Sequence, residues 1–112
     1  MRPSSTARSL KASAPVFAAL GDETRLALVV KLRSGGPLSI TGLTDGSAIT
    51  RQAITKHLNV LADAGLVRDV RRGRERIWEF DTNRLDEARR CLEEISRGWD
   101  RRLERLKRFV ED

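Results

Sequence analysis

Apolar residues in this chain recur mostly at helical spacing, broken once by a short interval of strict alternation. The run Pro15-Val16-Phe17-Ala18-Ala19-Leu20 predicts a short first helix with Pro15 in its first turn and Gly21 at its end. Asp22 caps a second helix, expected to set Leu26, Val29, Val30 and Leu32 on an apolar face before Gly35-Gly36-Pro37 stops it. Ser39 caps a third helix holding Ile40 and Leu43. Thr41, Gly42, Thr44 and Asp45 are weak helix formers, so that helix should be brief. After a turn at Gly46-Ser47, Thr50 caps a fourth helix whose Ile54, Leu58 and Leu61 recur at i, i+4 and i+7, ending at Gly65.

The alternating interval follows. Leu66-Val67-Arg68-Asp69-Val70 and Arg76-Ile77-Trp78-Glu79-Phe80 flank Arg71-Arg72-Gly73-Arg74-Glu75, a β-hairpin with glycine near its tip. With Asp81 or Thr82 as cap, a last helix places Leu85, Ala88, Leu92, Ile95, Trp99, Leu103, Leu106 and Val110 in a near-heptad seam. At about 1.5 Å per residue such a helix is roughly 42 Å long, more than a small domain covers. Part of the seam therefore calls for a partner chain. The fold class is mainly α with a small β-hairpin (α+β). Residues 1–11, Ser/Arg-rich and without periodicity, are expected to form a flexible basic arm, 12–81 the folded unit and 82–112 the long helix.

Composition narrows this picture little until the charge is located. The length of 112 residues suits one domain, and one cysteine, Cys91, cannot build an internal disulfide framework and fits a reducing cytosol. No apolar run reaches the roughly 18 residues of a membrane span, and no signal-peptide pattern opens the chain, so an intracellular protein is expected. The net charge is +6, and all of it resides in residues 1–80, with 13 Lys/Arg against 7 Asp/Glu; residues 81–112 carry 9 of each. Between residues 46 and 62 there is no acid at all. A local basic excess suits a polyanion such as nucleic acid or anionic lipid.

Helix, short helix, tight turn, basic-tipped helix and Arg-rich hairpin is the order of a winged helix-turn-helix. Leu20-Gly21-Asp22-Glu23-Thr24-Arg25 resembles the "LaDpTR" signature of ArsR-type bacterial transcription regulators. Thr50 to Val67, TRQAITKHLNVLADAGLV, is similar to their "SqpavSkHLkvLreAGLV" stretch. The resemblance covers about residues 14–80. It implies a winged helix-turn-helix with a long C-terminal dimerisation helix, and a homodimeric repressor in the bacterial cytoplasm that binds an inverted-repeat operator in double-stranded DNA.

On that reading Thr50, Arg51, Gln52, Thr55, Lys56 and Asn59 form the face opposite Ile54, Leu58 and Leu61 and are the expected DNA contacts. Arg suits guanine and Gln suits adenine in a bidentate way, whereas Lys56 and Thr50 suit phosphate. Arg51 in the first helical turn opposes the helix dipole by roughly 0.3–1 kcal/mol, a cost that a nearby DNA phosphate would offset. His57, the single histidine, lies at the edge of the packed face, as a structural ring or a phosphate contact. The plainer reading is a solvated polar face, which the missing acids disfavour. Arg71, Arg72 and Arg74 are the expected wing contacts, while Arg68 and Arg76 can pair with Asp69 and Glu75 across the strands. A charged hairpin also serves simply to guard a sheet edge.

The family's dimers pack first and last helices, which assigns Val16, Phe17, Leu85, Leu92, Ile95, Trp99, Leu103 and Leu106 to the interface. Metal-sensing members use paired cysteines on the third helix or Asp/His and Glu/His sets on the last. Here SITGLTDGS, residues 39–47, has neither Cys nor His, and the final helix has no histidine, so no metal or other cofactor is expected. Trp99-Asp100-Arg101-Arg102-Leu103-Glu104-Arg105-Leu106 resembles the "WdeRLdrL" tail of a metal-independent branch. No inducer is named by any of this. No catalytic residues stand out either, since no Ser/His/Asp set or phosphate-cradling loop can be assembled. Two alternatives remain, a metal- or redox-responsive repressor of the same fold and a winged-helix protein–protein module.

Overall fold

The computed structural model describes residues 5–111 and orders them as α1 (Ser5–Leu20), α2 (Glu23–Gly35), β1 (Leu38–Ser39), α3 (Ile40–Thr44), α4 (Arg51–Asp63), β2 (Val67–Arg72), β3 (Glu75–Phe80) and α5 (Thr82–Glu111). The three strands form one antiparallel sheet in the order β1-β3-β2. This is the expected winged helix-turn-helix with a long last helix, and it adds one element the pattern did not suggest. β1 is only two residues long and pairs Leu38 with Trp78 and Ser39 with Ile77. A two-residue strand carries no alternation to read; its partner strand defines it.

The core follows the helical periods. Val16 and Ala19 of α1, Leu28, Val29 and Leu32 of α2, Leu43 of α3, and Ile54, Leu58 and Leu61 of α4 are buried together with Leu66, Val67, Trp78 and Ala88. Local signals set the ends of the helices. The Asp22 carboxylate accepts from the Arg25 amide at 3.0 Å, and the Ser39 and Thr50 hydroxyls accept from the Gly42 and Ala53 amides. α4 closes with Gly65 at φ 78, where the Leu66 amide donates to Leu61 O and the Gly65 amide to Ala62 O. That paired closure requires a left-handed residue, which glycine adopts without a Cβ clash. Arg84 of α5 lies over this corner, its Cγ only 2.7 Å from where a Cβ on Gly65 would stand.

Five expectations are corrected. The arm expected over residues 1–11 is helical from Ser5 onward; residues 1–4 lie outside the described residues. Pro15 is therefore inside α1 and not in its first turn, at a nominal cost of about 3 kcal/mol. Packing compensates: Val16 and Ala19 are buried on the side of α1 that meets α5 and the core, a contribution that an isolated sequence window does not show. On α2, Leu26 (48%) and Val30 (58%) are exposed, and Leu28 takes the place expected of them. β2 runs two residues and β3 one residue further than predicted toward a two-residue tip, Gly73-Arg74, with Gly73 at φ 63 and no positive φ at Arg74, the sign pattern of a type II′ turn. Val16, assigned to the dimer interface, is fully buried in its own core and has no surface left for a partner.

α5 has 30 residues, of which only Ala88 and Cys91 are buried. Its first half packs on α1, with Leu85 against the core. Beyond Cys91 the seam Leu92, Ile95, Trp99, Leu103 and Leu106 is exposed, Trp99 to 59%. This overhang stretches the molecule to 66 × 39 × 20 Å.

Candidate nucleic-acid interface

α4 buries Ile54, Leu58 and Leu61, so at 3.6 residues per turn the opposite side carries Gln52, Lys56 and Asn59, all three exposed. The remaining expected contacts fall on two flanks. Arg51 and Thr55 lie toward α3, where Arg51 Nη2 donates to Thr41 Oγ1 at 3.0 Å and Thr55 Oγ1 donates back to Arg51 O at 2.9 Å. Thr50 sits at the helix start with its hydroxyl occupied by the Ala53 amide. Arg51 is thereby parked beside the turn between the two helices, its charge unpaired by any acid among the described residues.

His57 lies on the other flank, against α2. Its Nδ1 is 3.4 Å from Arg25 Nη1 and 3.9 Å from Asp22 Oδ2. Arg25 Nε in turn donates to Ala19 O at 2.6 Å. The Asp22 carboxyl is lowered below its usual range, chiefly by the Arg25 amide it caps, with the charge of Arg25, and of His57 when its ring is protonated, adding to the effect against some desolvation. Periodicity places His57 at the edge of the packed face but cannot supply this network. Asp22 and Arg25 come from another helix, and the only available signal was their recurrence in the "LaDpTR"-like motif.

The hairpin register sorts the arginines further. Arg71 lies opposite Arg76 and Arg72 opposite Glu75. Successive strand residues point to opposite faces, so Arg71 shares a face with Asp69, Arg76 and Trp78, and Arg72 shares the other with Arg68 and Glu79. Arg76 bonds Asp69 at 2.6 Å and stacks 5.0 Å from the Trp78 ring. Arg68 bonds Glu79 at 2.7 Å, directly across the ladder, and not Asp69 or Glu75. Arg71, Arg72 and Arg74 are exposed and make no ion pair among the described residues. They remain available for phosphate, but Arg71 and Arg72 cannot line the same side of the ribbon.

Nothing in this arrangement resembles a metal centre: no group of three His, Cys, Asp or Glu side chains gathers among the described residues. Cys91 is a buried free thiol on the α1-facing side of α5.

A family model for a helix-turn-helix domain matches residues 20–70. The chain is 38% identical over 90 residues to the uncharacterized HTH-type transcriptional regulator YuzN of Bacillus subtilis, covering 75% of this chain and 90% of that protein. It is 31% identical over 97 residues to the arsenical resistance operon repressor of Escherichia coli, covering 80% and 83%. Among solved structures, an ArsR-like transcriptional regulator from Rhodococcus sp. RHA1 superposes with a TM-score of 0.77 at 40% identity, covering 91% of this chain and 95% of that one. The chain belongs to the ArsR-type winged helix-turn-helix family of DNA-binding transcription regulators.

Proposed function

We propose that the chain is a homodimeric repressor of the bacterial cytoplasm that occupies an inverted-repeat operator and obstructs polymerase there, without sensing a metal. The observation that carries this reading is the outward face of α4, basic, free of acids from residue 46 to 62 and flanked by unpaired wing arginines. Gln52, Asn59 and Arg51 are the base-reading candidates. Thr50, Thr55, Lys56 and His57 suit the phosphate path, and Arg71, Arg72 and Arg74 the adjacent groove. Swinging from Thr41 to a guanine edge exchanges one exposed hydrogen bond to a hydroxyl for a bidentate pair, which favours contact.

A second copy is the natural cover for Leu92, Ile95, Trp99, Leu103 and Leu106, together with half-buried Phe17 and Leu85 at the base of the seam. Two-fold pairing would set two recognition helices about 34–36 Å apart, one turn of DNA. The E. coli relative is named for arsenical resistance, yet α3 of this chain offers no thiol and its one cysteine is buried. No helix among the described residues is long and apolar enough to cross a membrane.

Selection of duplexes from a random pool by the full chain, read across a salt series, tests the proposal. Recovery of inverted repeats with half-sites one turn apart is the expected outcome. A triple Arg51/Gln52/Lys56→Ala variant that bound the selected duplex as tightly as the parent would remove α4 as the reading element.

A further inference from the structure

Three helices meet at Arg25. Its Nε–H donates to Ala19 O at the end of α1, its amide donates to Asp22 at the start of α2, and its Nη1 faces His57 Nδ1 on α4. An arginine has only donors, so the ring nitrogen 3.4 Å away must present its lone pair. The one other group close to Nδ1, the Asp22 carboxylate, stands 3.9 Å off, too far for a hydrogen bond, and is already engaged by the Arg25 amide. A proton on Nδ1 would point at a cation and find no acceptor within hydrogen-bond distance among the described residues.

We infer that Arg25 is a positioning residue for DNA binding: it holds the neutral His57 ring as its Nε2–H tautomer and fixes the rotation of α4 against α1 and α2. The inference rests on the reading of α4 as the DNA-contacting helix. A rotation of α4 by a few tens of degrees would swing Gln52, Lys56 and Asn59 away from their shared face, because each side chain stands well off the helix axis. Ile54, Leu58 and Leu61 seat the helix in the core along one stripe, and polar contacts on its two flanks add to their hold on its rotation. Arg51 bonded to Thr41 on one flank and His57 bonded to Arg25 on the other brace that rotation from both sides. Of the two braces, the Arg51 one is exposed and is released when Arg51 turns to DNA. The Arg25 brace persists, and with the tautomer fixed, Nε2–H remains a donor.

The full chain tests this in two measurements. Nitrogen-detected NMR of the His57 ring, at a pH where it is neutral, should show the proton on Nε2. In Arg25→Lys, which keeps a cation but cannot span Ala19 O and His57 Nδ1 together, the ring should become a mixture of tautomers. Affinity for the selected duplex should fall about tenfold, the scale of one hydrogen bond to a charged group, in both Arg25→Lys and Arg25→Gln. Because Arg25 is not placed on phosphate, the salt dependence of binding should keep its slope, which a lost DNA contact would change. Thermal unfolding identifies any variant that is not folded, and the conclusion is then read from the other one and from the wild-type ring. An Nδ1–H ring in the wild type, or a folded Arg25 variant that binds as tightly as wild type, overturns the inference. If the wild type retains no duplex, the DNA reading fails, and the tautomer measurement alone decides the Arg25–His57 assignment.

Discussion

Arg51 and His57 show how a single residue's meaning depends on what stands beside it. In sequence, Arg51 is a charge at the wrong end of a helix dipole; in the structure it leans on Thr41 and remains free of acids. Arg51→Ala or Gln52→Ala should each cost about 1–3 kcal/mol of operator affinity and relax preference at one base position, measured by titrating base-substituted duplexes. Asp22 contributes a pH-dependent element to the stability of the fold. Its carboxyl is lowered in the folded state, so its stabilising effect is complete above the ordinary carboxylate value, about 3.9, and is lost as pH falls through the lower folded value. Asp22→Asn keeps a capping oxygen and removes that titration. It should leave neutral-pH stability nearly intact while flattening the acid limb of a urea-unfolding series.

At the scale of elements, the helix stops and caps were legible because each depends on one local residue. Asp22, Ser39, Thr50 and Gly65 do what their chemistry predicts. Gly65→Ala should destabilise by more than about 1 kcal/mol, since the left-handed backbone and Arg84 both oppose a methyl group, and denaturant unfolding would show it. α1 illustrates the opposite case. Its continuation through Pro15 opposes local propensity and is sustained by contact with α5, so Pro15→Ala should raise stability by up to about 3 kcal/mol. The wing lies between these cases. Alternation revealed the strands, but only the structure carries β2 on through Arg72 and so sets Arg71 and Arg72 on opposite faces. Their separate Ala variants should weaken binding similarly across sequences, and only a variant that removes a phosphate contact should lower the salt slope by about 1.

For the whole molecule, the compact part extends little beyond Cys91 of α5, and the remaining helix carries an exposed apolar seam along a charged surface. The exposed Leu92, Ile95, Trp99, Leu103 and Leu106 recur at the near-heptad spacing that suits the proposed second copy. Trp99→Glu should weaken self-association by about 2 kcal/mol or more, giving monomers in sedimentation at concentrations where the parent is dimeric, while the monomer fold and its thermal transition persist. Operator binding would then drop with it, because two half-sites no longer bind as one. Sequence alone determined the caps and stops of α2, α3 and α4, the acid-free face of α4 and the seam of α5, since each is written within one or two turns of chain. Tertiary structure decided which side of α2 is core, that α1 runs through a proline, that Val16 faces inward, and that Arg25 meets His57. Those outcomes depend on contacts between residues far apart in the chain, whose packing outweighs the preferences of any single segment.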